Sequence, residues 1–160
     1  MPSQPTATPP PQLTTVDALA QTAFLIQGTL ERRAAADHGF SLVQTRLLGV
    51  LRDRQPTING LARLLGLDKS SVSGLVDRAQ RRGLVTRTPS TADRRSVLVS
   101  LTPEGRALAT EVAGRFAADV ATILGPLTPS ERATLTGLLS RVLVAHAAAH
   151  GVDLLATTDH

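Results

Sequence analysis

The chain has 160 residues, 42% of them hydrophobic, and a formal net charge of +4, which suits one ordinary domain with a real core. It contains three phenylalanines and no cysteine, tyrosine or tryptophan; this excludes disulfides and thiolate chemistry and leaves a core of Leu, Val, Ile and Ala, which suits helix-on-helix packing. Charge is uneven: the stretch from Arg46 to Arg106 holds 12 Arg or Lys against 5 Asp or Glu, and the rest holds 5 against 8, a basic centre of the kind that nucleic-acid-binding chains carry.

In chain order, residues 1–12 are mostly Pro, Ser, Thr and Gln with little to bury, which predicts a disordered arm. They lack the basic start and apolar centre of a secretory signal. No apolar run is long enough for a bilayer, so the cytoplasm is expected and no membrane partner. From Val16, helical spacing places Leu19, Ala20, Ala23, Phe24 and Leu30 on one stripe, interrupted by Gln27. A turn at His38 and Gly39 precedes a second helix carrying Leu42, Val43, Leu47, Val50 and Leu51, stopped near Arg54 by Pro56.

Thr57 reads as an N-cap for Ile58, Leu61, Ala62 and Leu65, and Gly66 closes that short helix. Asp68 caps the next, whose buried stripe is Val72, Leu75, Val76 and Ala79, ending at Gly83. Two short helices joined by a tight glycine-containing turn are a helix-turn-helix candidate. After Gly83 the period changes to two: LVTRT and SVLVSL are strand-like, separated by the polar loop PSTADRR, which predicts a β-hairpin wing. Thr102-Pro103-Glu104 and the capping box Thr128-Pro129-Ser130-Glu131 then open two long helices, roughly 103–124 and 129–149. The second carries an apolar face of Leu135, Leu138, Leu139, Val142, Leu143 and His146, and Gly105, Gly114 and Gly137 weaken the pair.

The chemistry concentrates in residues 67–83. With the Val72 stripe inward, Lys69, Ser70, Ser73, Gly74, Asp77, Arg78 and Arg81 face solvent, with Ser71 at the edge. Small hydroxyls let a helix N-terminus approach DNA closely and bond to phosphate or base edges, while Lys69 and Arg78 add charge where the backbone passes. Arg94 and Arg95 at the hairpin tip suit a narrow, electronegative minor groove, with Asp93 able to hold one guanidinium.

These residues resemble the MarR family of winged-helix transcriptional regulators. The match lies in LARLLGLDKSSVSGLVDRAQRRGLV, Asp93-x-Arg95 and Leu101-Thr102-Pro103-Glu104-Gly105. The resemblance implies a mainly α fold with a small β-hairpin wing, a winged helix-turn-helix flanked by N- and C-terminal dimerisation helices. It divides the chain into a helical dimerisation region (13–37 and 103–149), a DNA-binding domain (41–102) and a C-terminal tail (150–160). It further implies a homodimeric repressor that binds a pseudo-palindromic stretch of double-stranded DNA. Lys69, Ser70, Ser71, Ser73 and Arg78 would lie in the major groove, and Asp93, Arg94 and Arg95 in the wing, with Asp68 or Asp93 orienting Arg95. A small-molecule effector, where one acts, falls by position near Phe24, His38, Phe40 and Arg46. Gly74 departs from the family, in which many members carry a long polar side chain there.

Other classes find less. His146 and His150 are four apart on a helix, but two ligands do not make a metal site, and no cofactor is expected. No nucleophile elbow, phosphate loop or carboxylate pair appears, so an enzyme is not expected. A non-specific architectural DNA-binding protein, or a winged-helix protein-interaction module, remains the alternative.

Overall fold

A computed structural model describes residues 13–90 and 95–151, with the backbone alone at 35, 37 and 38. Six helices and one hairpin follow in order: α1 (Thr15–His38), α2 (Leu42–Arg52), α3 (Ile58–Leu65), α4 (Lys69–Arg81), β1 (Val85–Pro89), β2 (Val97–Leu101), α5 (Pro103–Ile123) and α6 (Pro129–Ala149). The expected arm at 1–12 and most of the tail lie outside the described residues.

Local chemistry sets most boundaries. Thr57, Asp68, Thr102 and Thr128 each accept a backbone N–H of the first turn through the side chain, and at Ser41 and Thr128 the third residue reciprocates in a full capping box. The second helix stops at Arg52, two residues before the expected end and ahead of Pro56. Between α3 and α4, Gly66 takes φ 66°, a left-handed turn that a β-carbon disfavours. Leu67 N donates back to Ala62 O at 3.0 Å, so α4 leaves α3 at a fixed angle.

The core sits inside this helix-turn-helix. Leu47, Leu51, Leu61, Val72, Val76 and Val99 are fully buried, and Phe40, Ala34 and Ala109 extend the cluster to the flanking helices. The hairpin is antiparallel, pairing Val85 with Leu101 and Arg87 with Val99. The Thr57–Leu98 bridge and a Val99 N–H to Pro56 carbonyl bond of 3.0 Å dock the segment before α3 against β2.

The start of α5 is joined to the segment that follows α4. Thr102 N donates to Leu84 O at 3.1 Å and Thr102 Oγ1 donates to Gly83 O at 2.7 Å. A β-carbon on Gly105 would lie 1.9 Å from Leu84 O. Gly105 is therefore a close-approach residue, and the expectation that it merely weakens its helix is corrected; Gly114 and Gly137 have open space around them.

The outer helices form as expected, but much of their apolar surface stays outside the fold. Val16 is 75% exposed, Phe24 67% and Val142 64%, with Leu19, Leu138 and Leu143 also exposed. Within α6 the buried residue is Ala147.

Candidate nucleic-acid interface

The candidate surface is built on α4. Val72, Leu75, Val76 and Ala79 pin one side to the core, which turns Lys69, Ser70, Ser71, Asp77, Arg78 and Arg81 outward, with Ser73 and Gly74 half-buried. The structure thus brings Lys69, Ser70, Ser71, Ser73 and Arg78 together on one exposed helix. A β-carbon at Gly74 would meet only Arg78 Nη1, at 3.4 Å.

The first turn is internally bonded. Asp68 Oδ1 accepts from Ser70 Oγ at 2.5 Å and from Ser71 N at 2.8 Å, and Oδ2 accepts from Ser71 Oγ at 2.5 Å. The Ser70 hydroxyl above all, then the Ser71 hydroxyl and N–H, hold the Asp68 carboxyl well below the usual carboxylate range. An ionised aspartate therefore stands at the entrance to the helix, and it occupies the two hydroxyls expected to meet DNA.

An ion pair ties the wing to the helix. Arg87, half-buried on β1, places Nη2 2.7 Å from Asp77 Oδ1 and donates through Nη1 to Gln80 Oε1 at 2.7 Å. Sequence reasoning missed this link, whose only trace was an outward Asp77 and an Arg on the following strand. In the wing, Arg95 is exposed just before β2, while Asp93 and Arg94 lie outside the described residues. Arg78 and Arg81 in the last turn suit the negative end of the helix dipole.

The four effector candidates are dispersed. Phe24 is exposed on α1 and Arg46 on α2, whereas Phe40 is a core residue with the Arg82 guanidinium 4.0 Å from its ring centroid. The side chain of His38 lies outside the described part. A cleft of about 480 Å³ between α1 and α5 is lined by Leu25, Thr29, Arg32, Arg33, Asp119 and Ile123, among others, and not by Phe24, Phe40 or Arg46. On its wall Arg33 forks onto Asp119 at 2.5 and 2.7 Å, and this bonding lowers the Asp119 pKa.

His146 and His150 stack with centroids 4.3 Å apart, and His150 Nδ1 lies 2.7 Å from the His146 carbonyl. Among the described residues there is no group of three or more His, Asp or Glu placed to hold a metal. Nor is any helix among them long and apolar enough to cross a membrane.

Helix, tight turn, exposed second helix and a two-stranded hairpin running into a long helix define a winged helix-turn-helix protein. The sequence model of the MarR family matches residues 38–96. The transcriptional repressor NicR of Pseudomonas putida is 28% identical over 131 residues, spanning 80% of this chain and 82% of the repressor. Among solved structures, a probable transcriptional regulator from Pseudomonas aeruginosa is 30% identical, covering 81% of this chain and 96% of its own, with a TM-score of 0.64. Wild-type MarR from E. coli, in its apo form, is 25% identical over 83% of this chain and 98% of its own, with a TM-score of 0.70. The chain belongs to the MarR family of winged-helix transcriptional regulators.

Proposed function

We propose that the protein is a cytoplasmic, sequence-specific DNA-binding repressor that acts as a homodimer on a pseudo-palindromic operator. The observation that carries this reading is the outward face of α4, where small side chains occupy the centre and Lys69, Arg78 and Arg81 the margins. A slim helix with cationic rims fits a major groove and its two phosphate walls. The wing follows the same plan: Arg94 and Arg95 would meet the adjacent minor groove, and Asp93 would orient a guanidinium there. Residues 41–102 form the DNA-binding domain in this reading.

Residues 13–37 and 103–149 form the dimerisation region, supported by the exposed apolar faces of α1 and α6, which one chain leaves facing water. Two reading helices would then meet half-sites about one helical turn, roughly 10 bp, apart. Release by a small-molecule effector belongs to the same reading, with the α1–α5 cleft as its place, because Arg32 there adds a positive charge beside the paired Arg33 and Asp119. Repression rather than activation rests on the likeness to NicR.

The test is a fluorescence-anisotropy titration against duplex DNA from upstream of the protein's own gene, beside a scrambled duplex, at two salt concentrations. A preference of about a thousandfold supports a specific regulator. Salt-sensitive binding without preference for any upstream duplex favours an architectural protein, and absence of binding favours a protein-interaction module.

A further inference from the structure

We infer that the exposed face of α4 presents a row of hydrogen-bond acceptors to the major groove, and so selects the amine-bearing bases cytosine and adenine over guanine and thymine where it meets them. The inference rests on the DNA-binding reading above and adds to it what the helix recognises.

Two separate parts of the helix carry it. At the first turn, Ser70 and Ser71 each point Oγ at a different oxygen of Asp68, both at 2.5 Å. A hydroxyl has one proton and two lone pairs, and an ionised carboxylate has no proton to return. The direction of both bonds is therefore fixed, and the two exposed serines turn lone pairs toward solvent. Seven residues after Ser70, two turns along the same face, the Asp77 side chain is 55% exposed. Arg87 Nη2 holds its Oδ1, while Nη1 of the same fork is turned to Gln80, so Arg87 leaves Oδ2 as an acceptor on this exposed side chain. Between them Gly74 adds no side chain.

The cations stand beside this line. Lys69 precedes Ser70 and Arg78 follows Asp77, which places them about 100° to either side of the Ser70–Asp77 line, with Ser71 on the Arg78 side. Phosphate oxygens are acceptors too, so they cannot bond to the side chains of Ser70, Ser71 or Asp77 in this state, and the carboxylates of Asp68 and Asp77 repel them. In the major groove the donors are the N4 amine of cytosine and the N6 amine of adenine; N7, O6 and O4 are acceptors. Phosphate therefore goes to the flanking cations and the amine-bearing bases to the centre. Of the two partners expected for the serines, phosphate or base edges, this division of roles favours the base edges.

The test is selection of bound duplexes from a randomised library by the parent protein and by Ser70→Ala/Ser71→Ala, Asp77→Ala and Asp68→Asn, each shown folded by its circular-dichroism melt. Asn still caps the helix, but its amide nitrogen donates, which leaves one serine proton to face outward. The parent should select cytosine or adenine by about tenfold or more at the contacted positions. The serine double variant should flatten one set of positions and Asp77→Ala another, with the rest of the motif retained. Asp68→Asn should admit guanine or thymine where the serines read. Replacing a selected adenine by purine, which lacks the N6 amine, should cost the parent about tenfold and the matching alanine variant nothing. Guanine or thymine at the positions the variants flatten, or a motif that no variant alters, overturns the inference alone. A parent that selects no motif from the library overturns the DNA-binding reading beneath it as well.

Discussion

Substitution of Gly105 by alanine puts the close approach of α5 to a direct trial. The new β-carbon would fall 1.9 Å from Leu84 O and 2.8 Å from Leu84 C, whereas carbon–oxygen contacts settle near ~3.4 Å. Leu84 and the first turn of α5 must part by about 1.5 Å to restore that separation. The displacement acts on the bonds that join them, Thr102 N to Leu84 O and Thr102 Oγ1 to Gly83 O. Two hydrogen bonds at about 1 kcal/mol each, with a partly buried carbonyl left unmet, cost roughly 3 kcal/mol. The better helix propensity of alanine returns about 1 kcal/mol, so the net loss is about 2 kcal/mol. Urea unfolding followed by far-ultraviolet circular dichroism, at fixed protomer concentration, measures it. Gly49→Ala serves as the reference, because Gly49 is exposed in α2 with nothing within 4 Å of its added carbon, and should gain roughly 0.5–1 kcal/mol. A Gly105→Ala protein as stable as Gly49→Ala would refute the reasoning.

Three further outcomes are expected. Because the folded-state pKa of Asp68 is depressed, its stabilising share is present above the ordinary carboxylate value of about 4 and is lost as pH falls toward the folded value. Asp68→Asn should therefore flatten the acid limb of a melting-temperature profile, and an unchanged limb contradicts the bonding at the first turn. Val142→Glu places a charge on the exposed apolar face of α6 and should convert the dimer to monomer in sedimentation at micromolar concentration; an intact dimer would exclude that face from the interface. Arg95→Ala should weaken DNA binding and reduce the slope of log affinity against log salt by about one; equal affinity and slope would remove Arg95 from the interface.

Features set by a few neighbouring residues could be read from the sequence. The caps at Thr57, Asp68, Thr102 and Thr128 stand where expected, because each depends on an oxygen reaching an N–H two or three residues on. The change of period after Gly83 located the hairpin for the same reason. Contacts between distant residues could not be read. The Arg33–Asp119 fork joins residues 86 apart, and the Thr57–Leu98 bridge is a single pairing with no alternation to announce it. The reason for Gly105 lies in a carbonyl on Leu84, beyond the reach of a propensity argument. Phe40 carried no sign of whether its ring would face a ligand or the core. The stripes on α1 and α6 announced faces in need of cover, but an apolar stripe does not say which molecule supplies it.

In the reading helix, Lys69, Ser70, Ser71, Ser73 and Arg78 follow from amphipathic geometry alone, whereas the direction of the serine protons follows from the carboxylate beside them. Spacing locates a hydroxyl, but only its partner decides what it can offer.

The joint between Thr102, Gly105 and the Gly83–Leu84 backbone also has a mechanical meaning. A helix of 21 residues is a rod about 30 Å long, and this rod is riveted at one end to the strand that leaves α4. With no side chain at Gly105, the rod lies directly against the Leu84 backbone. A tilt of about ten degrees at the joint moves the far end of α5, at Leu124, by roughly 5 Å, given that length. A push on that far end would therefore act on the joint through a lever about 30 Å long, whose far end lies on the side of the α1–α5 cleft.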